Sequence, residues 1–266
     1  MNRNITSESI ISSDTLIGTF DILGAKAIYA ATDSNMAKSI VSFIVKAISD
    51  SIDEPIQEMQ QYYKEKLPAE SRLKKLIKCT SSYIYADTIV FICDVSEFDK
   101  IMMRFATEYL QVMAIEITRR MFIFGLPIRG CLNLGTIARY RDPNKIVVSG
   151  KAYVEAIRIA DKLEFSGTVI TDELYNVIKA TDKVIDYPPL QSIFCLPCVL
   201  KDNHSRQSIT TSMWCLDWLD DTDFLKDGAD IRQLIFNSFA GHGKKVCGSV
   251  IDKINNTETI IRLLIP

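Results

Sequence analysis

Apolar positions along the chain fall into stretches of two periods, and the elements alternate. Residues 16–23 are an almost unbroken apolar run, the mark of a strand buried on both faces. Residues 25–66 read as helical, with "MAKSIVSFIVKAISDSI" amphipathic and "EPIQEMQQYYKEKL" highly polar, punctuated by Pro55 and Pro68. The stretch 76–94, "LIKCTSSYIYADTIVFICD", is dominated by β-branched and aromatic residues and predicts two strands meeting near Ala86–Thr88. In 97–120, Phe98, Ile101, Phe105, Tyr109 and Val112 recur at spacings of three and four, so this is a helix, ended by Gly125 and Pro127.

"LPIRGCLNLGTIARY" then predicts a strand, "RDPN" at 141–144 a turn, and "KIVVSG" the return. A helix over 151–165, a short strand "GTVIT", and a helix in which Asp172 suits the start position follow. "SIFCLPCVL" and "TTSMWCLDWL" predict two late strands, and beyond Asp220 the pattern is helical and amphipathic. Strands alternate with helices, yet tight hairpins recur. The expected architecture is α+β: a mixed, mostly antiparallel sheet with helical cover.

The 266 residues are 47% hydrophobic and 24% charged, a balance that argues for a folded globule. A net charge of -2 provides no basic field for nucleic acid. The apolar run "IVSFIV" stops at Lys46, short of a membrane span, and "MNRNITSESIISS" lacks the apolar core of a signal peptide. The expectation is a cytoplasmic protein with no nucleic-acid or membrane partner.

Seven cysteines in a chain this long do not make a disulfide scaffold. Cys195 and Cys198 form a CxxC that could join His204 and Cys215 around zinc, but "FCLPCVL" reads more simply as a buried strand with small apolar cysteines. With two histidines in all, His204 and His242, a histidine-based triad has little material. "GHGKKVCG" (241–248) lacks the spacing of a phosphate loop and reads as a helix–helix connection, while Asp217, Asp220, Asp221 and Asp223 read as a solvated acidic loop.

Two aspartates stand out. In "GTFDILGAKA", Asp21 interrupts the buried strand, and in "YADTIVFICD", Asp87 sits at the expected hairpin tip against another apolar strand. A carboxylate in such a place needs a backbone cap, a cationic side chain or a metal ion to compensate its lost hydration. If the two strands are neighbours, the carboxylates converge, and a hard cation such as Mg2+, which takes one or two carboxylates plus substrate phosphates, would relieve their repulsion. The structural alternative is that Asp21 caps a helix beginning near Gly24 and Asp87 occupies a turn.

These segments carry a resemblance. "FDILGAKA", "ADTIVF", "LPIRGCLNLG" with Arg129, Gly130 and Gly135, and "VVSGKAYVEAIRIADKLEFSGTVITDELY" with Gly150 and Arg158 eight residues apart are similar, in that order, to segments of class III nucleotidyl cyclases. Within that family, "DILGAK", "ADTIVF", "IRGCLNLG" and "GKAYVEA" resemble most the bacterial pyrimidine cyclases of the Pycsar anti-phage systems. The resemblance spans roughly residues 16–175.

It implies a ferredoxin-like cyclase catalytic domain over 1–219, with a helical insertion at about 34–75 and a C-terminal helical extension over 220–266. It implies conversion of a nucleoside triphosphate, UTP or CTP, to the 3′,5′-cyclic monophosphate and pyrophosphate. The product would be a second messenger read by a separate effector protein. Asp21, Asp87 and the Ile22 carbonyl would hold two Mg2+ or Mn2+ ions. Lys26 and the amides around Gly24 would grip phosphates, and Arg158 would meet the α-phosphate from the other subunit of a homodimer with composite sites. Tyr83, four residues before Asp87 where purine cyclases carry Lys, would select the base.

The chain departs from the family pattern at Ala25, where many relatives have Phe, and at Val154, where purine cyclases place a ribose-orienting Asn that Asn133 would have to replace. Plain structural roles stand beside these: Arg158 in an ion pair with Glu155 or Asp161, Lys26 as a surface lysine, Tyr83 as a strand aromatic, and Arg129 as an anchor for a carboxylate or carbonyl. A catalytically inactive cyclase-fold module for nucleotide binding or dimerisation, and a purine cyclase, are the alternative functions.

Overall fold

A computed structural model describes residues 8–31, 33–63, 69–142, 145–184, 192–202, 207–219 and 230–265. Pro68, His204, Asp220, Asp221, Asp223 and the tip of the 141–144 turn lie outside these residues.

The first half builds the frame. Strand β1 (Glu8–Ile22) leads through helices α1 (Ala25–Ala31), α2 (Ser34–Tyr63) and α3 (Ala69–Cys79) into the hairpin β2 (Thr80–Tyr85) and β3 (Thr88–Asp94), then helix α4 (Lys100–Ile123) and strand β4 (Ile128–Asp142). β1 pairs antiparallel with both β3 and β4, so the order β2-β3-β1-β4 is the four-stranded ferredoxin-like arrangement that the resemblance implies. β5 (Lys145–Ser149) pairs with β4, helix α5 (Lys151–Lys162) follows, and β6 (Gly167–Ile170) joins β4 in parallel. Helix α6 (Asp172–Thr181) precedes the hairpin β7 (Ile193–Lys201) and β8 (Ser208–Leu216), which extends the sheet beyond β6. The sheet is mixed and mostly antiparallel, as expected.

β1 is buried on both faces because helices cover both. Phe20, opposite Gly130 and Thr168 in register, faces α4, where the Thr168 and Thr118 hydroxyls meet at 3.1 Å. The alternate row faces α5: Ile17 lies opposite Asn133, whose Nδ2 donates to the Ala152 carbonyl of α5 at 3.1 Å. Period-two alternation therefore puts Ile17, Thr19 and Asp21 on the α5 side.

Three expectations are corrected. Pro55 does not break its helix: α2 continues to Tyr63 because it is packed on α4, where Tyr109 Oη donates to the Ile52 carbonyl at 2.9 Å and Arg120 pairs with Asp50 at 3.2 Å and with Glu54. Tertiary contacts here outweigh the hydrogen bond that proline removes. Residues 76–79, read as strand, are the last turn of α3, with Leu73 and Leu76 buried one turn apart. In addition Asp217 is buried rather than solvated, its carboxylate accepting from the Leu219 amide at 3.0 Å.

Helices α7 (Ile231–Ala240) and α8 (Ser249–Leu264) are joined by a 3-10 turn at Gly241–Gly243 and a short loop, so 241–248 is a helix–helix connection as read. They share the single core with the sheet. Ser238 Oγ donates to the Phe122 carbonyl at 2.7 Å and Lys244 Nζ to the Gly125 carbonyl at 2.9 Å, which satisfies chain ends left by α4. No helix among the described residues is long and apolar enough to cross a membrane.

Candidate active site

The end of β1 is where its apolar pattern gives way, and register decides what Asp21 meets there. Asp21 lies between Thr88 of β3 and Arg129 of β4. Arg129 Nε donates to Asp21 Oδ2 at 2.9 Å, and Nη2 stands 2.8 Å from the same oxygen. The guanidinium also donates to the carbonyls of Asp161 and Leu163 at the end of α5. Arg129 is thus the anchor that its place beside Gly130 predicts, and of the three compensators open for Asp21 it supplies the cationic side chain.

Asp87 follows Ala86 in the β2–β3 turn, where Ala86 takes a left-handed backbone conformation (φ 55°). The turn folds back on β1: the Ile22 amide donates to the Asp87 carbonyl at 3.0 Å. The next residues reach Gly24, whose φ of 79° suits glycine and lets the chain leave the sheet for α1. A side chain at that position would meet Lys244 Cδ at 3.2 Å, so α1 and the C-terminal connection are closely apposed.

Asp21 and Asp87 both line one open concavity of about 520 Å³, together with Ile22, Gly24, Ala25 and Lys26. The same cleft is lined by Asp161 from α5, Glu164, Lys201 from the end of β7 and Lys253 from α8. Burial pushes the Asp21 carboxyl above the usual carboxylate range; the charge and hydrogen bonds of Arg129 oppose that rise, while Asp87 and Asp161 add to it. The Arg129 guanidinium therefore only partly offsets the burial of Asp21.

The residues present fit a hard divalent cation. Both Arg129 contacts fall on one oxygen of Asp21, and the donor set of two carboxylates and a main-chain carbonyl is all oxygen. Among the described residues no group of three or more His, Cys, Asp or Glu side chains could hold a metal ion. A divalent ion held here would need further oxygen ligands beyond these side chains, and Mg2+ commonly takes such ligands from water or phosphate groups.

Tyr83, Asn133 and Arg158 do not line this cleft. Tyr83 of β2 accepts from Arg139 Nη1 through its hydroxyl at 3.3 Å. Asn133 is buried: its Nδ2 donates to α5, and its Oδ1 accepts from the Leu134 amide at 2.8 Å and from Thr171 Oγ1 at 2.7 Å. Arg158 is 63% exposed on the outer face of α5, with Glu155 3.9 Å away. Lys26 is exposed in the first turn of the seven-residue α1, Ala25 is buried beneath it, and Val154 is exposed. Cys198 and Cys215 are buried with their sulfurs 3.3 Å apart, Cys195 is exposed, and His204 is outside the described residues.

Sequence reasoning missed Lys201, Lys253, Asp161 and Glu164. Asp161 carried a signal, as the acidic neighbour of Arg158 on a helix. Lys253 carried none beyond its place on the polar face of an amphipathic helix, since which part of that face borders the cleft depends on how α8 docks.

No family model matches the chain, and no curated protein matches it. Among solved structures it is similar to the adenylyl cyclase CyaB from P. aeruginosa, at 12% identity over 79% of this chain and 95% of that one, with a TM-score of 0.47. It is similar also to the catalytic core of a rhodopsin-guanylyl cyclase with converted specificity in complex with ATPαS (13% identity, 79% and 97% covered, TM-score 0.45). A third is the guanylate cyclase domain of RhGC from Catenaria anguillulae in complex with GTP (12% identity, 77% and 97% covered, TM-score 0.42). Likeness at these identities and scores transfers neither a substrate nor a residue role to this chain.

Proposed function

We propose that the chain is a metal-dependent nucleotidyl cyclase of the cytoplasm that converts UTP or CTP to its 3′,5′-cyclic monophosphate and pyrophosphate. The observation that carries this reading is the convergence of Asp21 and Asp87 on one cleft whose walls also present Lys26, Lys201 and Lys253. A cleft that presents both carboxylates and ammonium groups suits a substrate whose phosphate chain carries a metal ion and also bears bare negative oxygens.

In this reading Asp21, Asp87 and the Ile22 carbonyl would hold two Mg2+ or Mn2+ ions, which when bound would supply acidification of the ribose 3′-hydroxyl and charge neutralisation at the α-phosphate. Arg129 keeps the Asp21 carboxylate aimed into the cleft, and Lys26 faces the phosphates beyond Gly24. Arg158, exposed on its own subunit, reaches the α-phosphate of a second copy in a homodimer with composite sites, where its charge stabilises the in-line displacement. Tyr83 is assigned to the base in the same assembled site, whereas Asn133, buried and bonded to α5, the Leu134 amide and Thr171, is not free to orient a ribose as the resemblance implies. The pyrimidine choice, and the role of the product as an anti-phage signal read by a separate effector, rest on the sequence resemblance to the Pycsar branch.

The Asp21–Arg129 pair favours a second reading, a cyclase-fold module that binds nucleotide without turnover, its guanidinium standing in for a metal. The test is incubation of the purified protein with ATP, GTP, UTP and CTP separately, with Mn2+, and chromatographic separation of products. UTP or CTP is expected to yield cyclic product and pyrophosphate, and Asp87→Ala to lower that rate by about 100-fold or more. Cyclic product from ATP or GTP alone overturns the base assignment and leaves a purine cyclase. Absence of cyclic product and pyrophosphate from all four overturns the cyclase reading, and nucleotide binding that survives Asp87→Ala then favours the inactive module.

A further inference from the structure

We propose that Lys253, on the C-terminal helix α8, is a ligand for the phosphate chain of the substrate, held by Glu164 until that chain arrives. The inference rests on the reading of the cleft as a triphosphate site, and adds to it a residue from the C-terminal helices. Lys253 and Glu164 both line the concavity that contains Asp21 and Asp87. Their charged groups pair at 3.1 Å, with side chains only 18% and 13% exposed.

The position of Lys253 is set by the docking of its own helix. One turn on, Asn256 Nδ2 donates to the Glu164 carbonyl at 3.0 Å, and the fully buried Thr257 accepts from the Ser166 amide at 2.9 Å. These bonds clip α8 to the segment that carries Glu164, so the backbone at Lys253 stays beside the cleft whatever partner its ammonium takes. A lysine ammonium is a compact charge with three donors on a flexible stem, able to exchange one acceptor for another without moving the backbone. Phosphate oxygens offer it a higher density of negative charge than one carboxylate. Lys253 and Lys201 line the same cleft as Asp21 and Asp87, so a phosphate chain held in that cleft comes within reach of an ammonium group.

The test is calorimetric binding of inorganic tripolyphosphate with Mg2+ to the full chain and to three variants, with unfolding midpoints measured alongside. The wild type is expected to bind, Lys253→Gln to bind about tenfold or more weakly, and Lys253→Arg to bind within a few-fold of wild type. Glu164→Gln breaks the same ion pair but leaves the ammonium free and removes a repelling charge, so it is expected to bind more tightly. Wild-type affinity in Lys253→Gln, or equal weakening in Lys253→Gln and Glu164→Gln, would show the pair to be a brace and overturn the proposal. So would a wild type that binds no tripolyphosphate. If the lysine variant loses tripolyphosphate as expected while no nucleoside triphosphate is cyclised, the cyclase reading fails and the assignment of Lys253 stands.

Discussion

Asp21 and Lys244 are two charges whose surroundings only the folded chain discloses. For Asp21 the sequence leaves a cap, a cation and a metal open, because adjacency in a sheet depends on register, and the Asp21–Arg129 pairing spans 108 positions. Lys244 has no such signal: it looks like a loop lysine, yet it donates to the carbonyls of Gly125 at 2.9 Å and Ser238 at 3.3 Å, and burial pushes its pKa down to about 8. The native state therefore releases this proton near pH 8, whereas the unfolded chain keeps it to about the ordinary 10.5. Between those values the unfolded state holds more protons, so stability rises with pH across the window. Denaturant unfolding of the wild type and Lys244→Met at pH 7 to 10.5 is expected to show the wild type gaining about 1–3 kcal/mol relative to the variant.

At the scale of elements, the apolar runs of β1 and β3, the hairpin near Ala86 and the three-and-four spacing in α4 are legible because burial there follows directly from periodicity. Pro55 and residues 76–79 are not, since packing of α2 on α4 and the turn of α3 override local preference. The helix start at Gly150 is legible, and the structure gives its reason. Gly150 has a φ of 126°, and a Cβ there would sit 2.6 Å from the Thr136 carbonyl oxygen, against the β4 backbone. Gly150→Ala is expected to destabilise the fold by about 1–3 kcal/mol, read as a lowered denaturation midpoint, because β4 cannot withdraw without breaking its pairing with β1.

For the whole molecule, the site proposed here has contributions from both ends of the chain and, through Arg158, from a second copy. Sequence order kept the C-terminal wall out of sight: Lys253 lies more than 160 positions beyond Asp87, and only the docking of α8 on the 164–166 segment brings it back. The composite arrangement has a direct consequence for mixtures. Asp87→Ala and Arg158→Ala are each expected to be inactive alone. Mixed in equal amounts and allowed to exchange subunits, they regain about a quarter of wild-type activity, since half the dimers are mixed and each carries one intact site. Two variants inactive alone with no recovery on mixing would show that Arg158 does not act across the dimer.

The main-chain bond from the Ile22 amide to the Asp87 carbonyl ties the two acid-bearing segments into a single rigid edge. Neither carboxylate can approach or retreat from the other by hinge motion without tearing β1 from the neighbouring turn. The backbones that carry the two acids are therefore held at a spacing the sheet has already set, and only side-chain rotation is left to change the distance between the carboxylates.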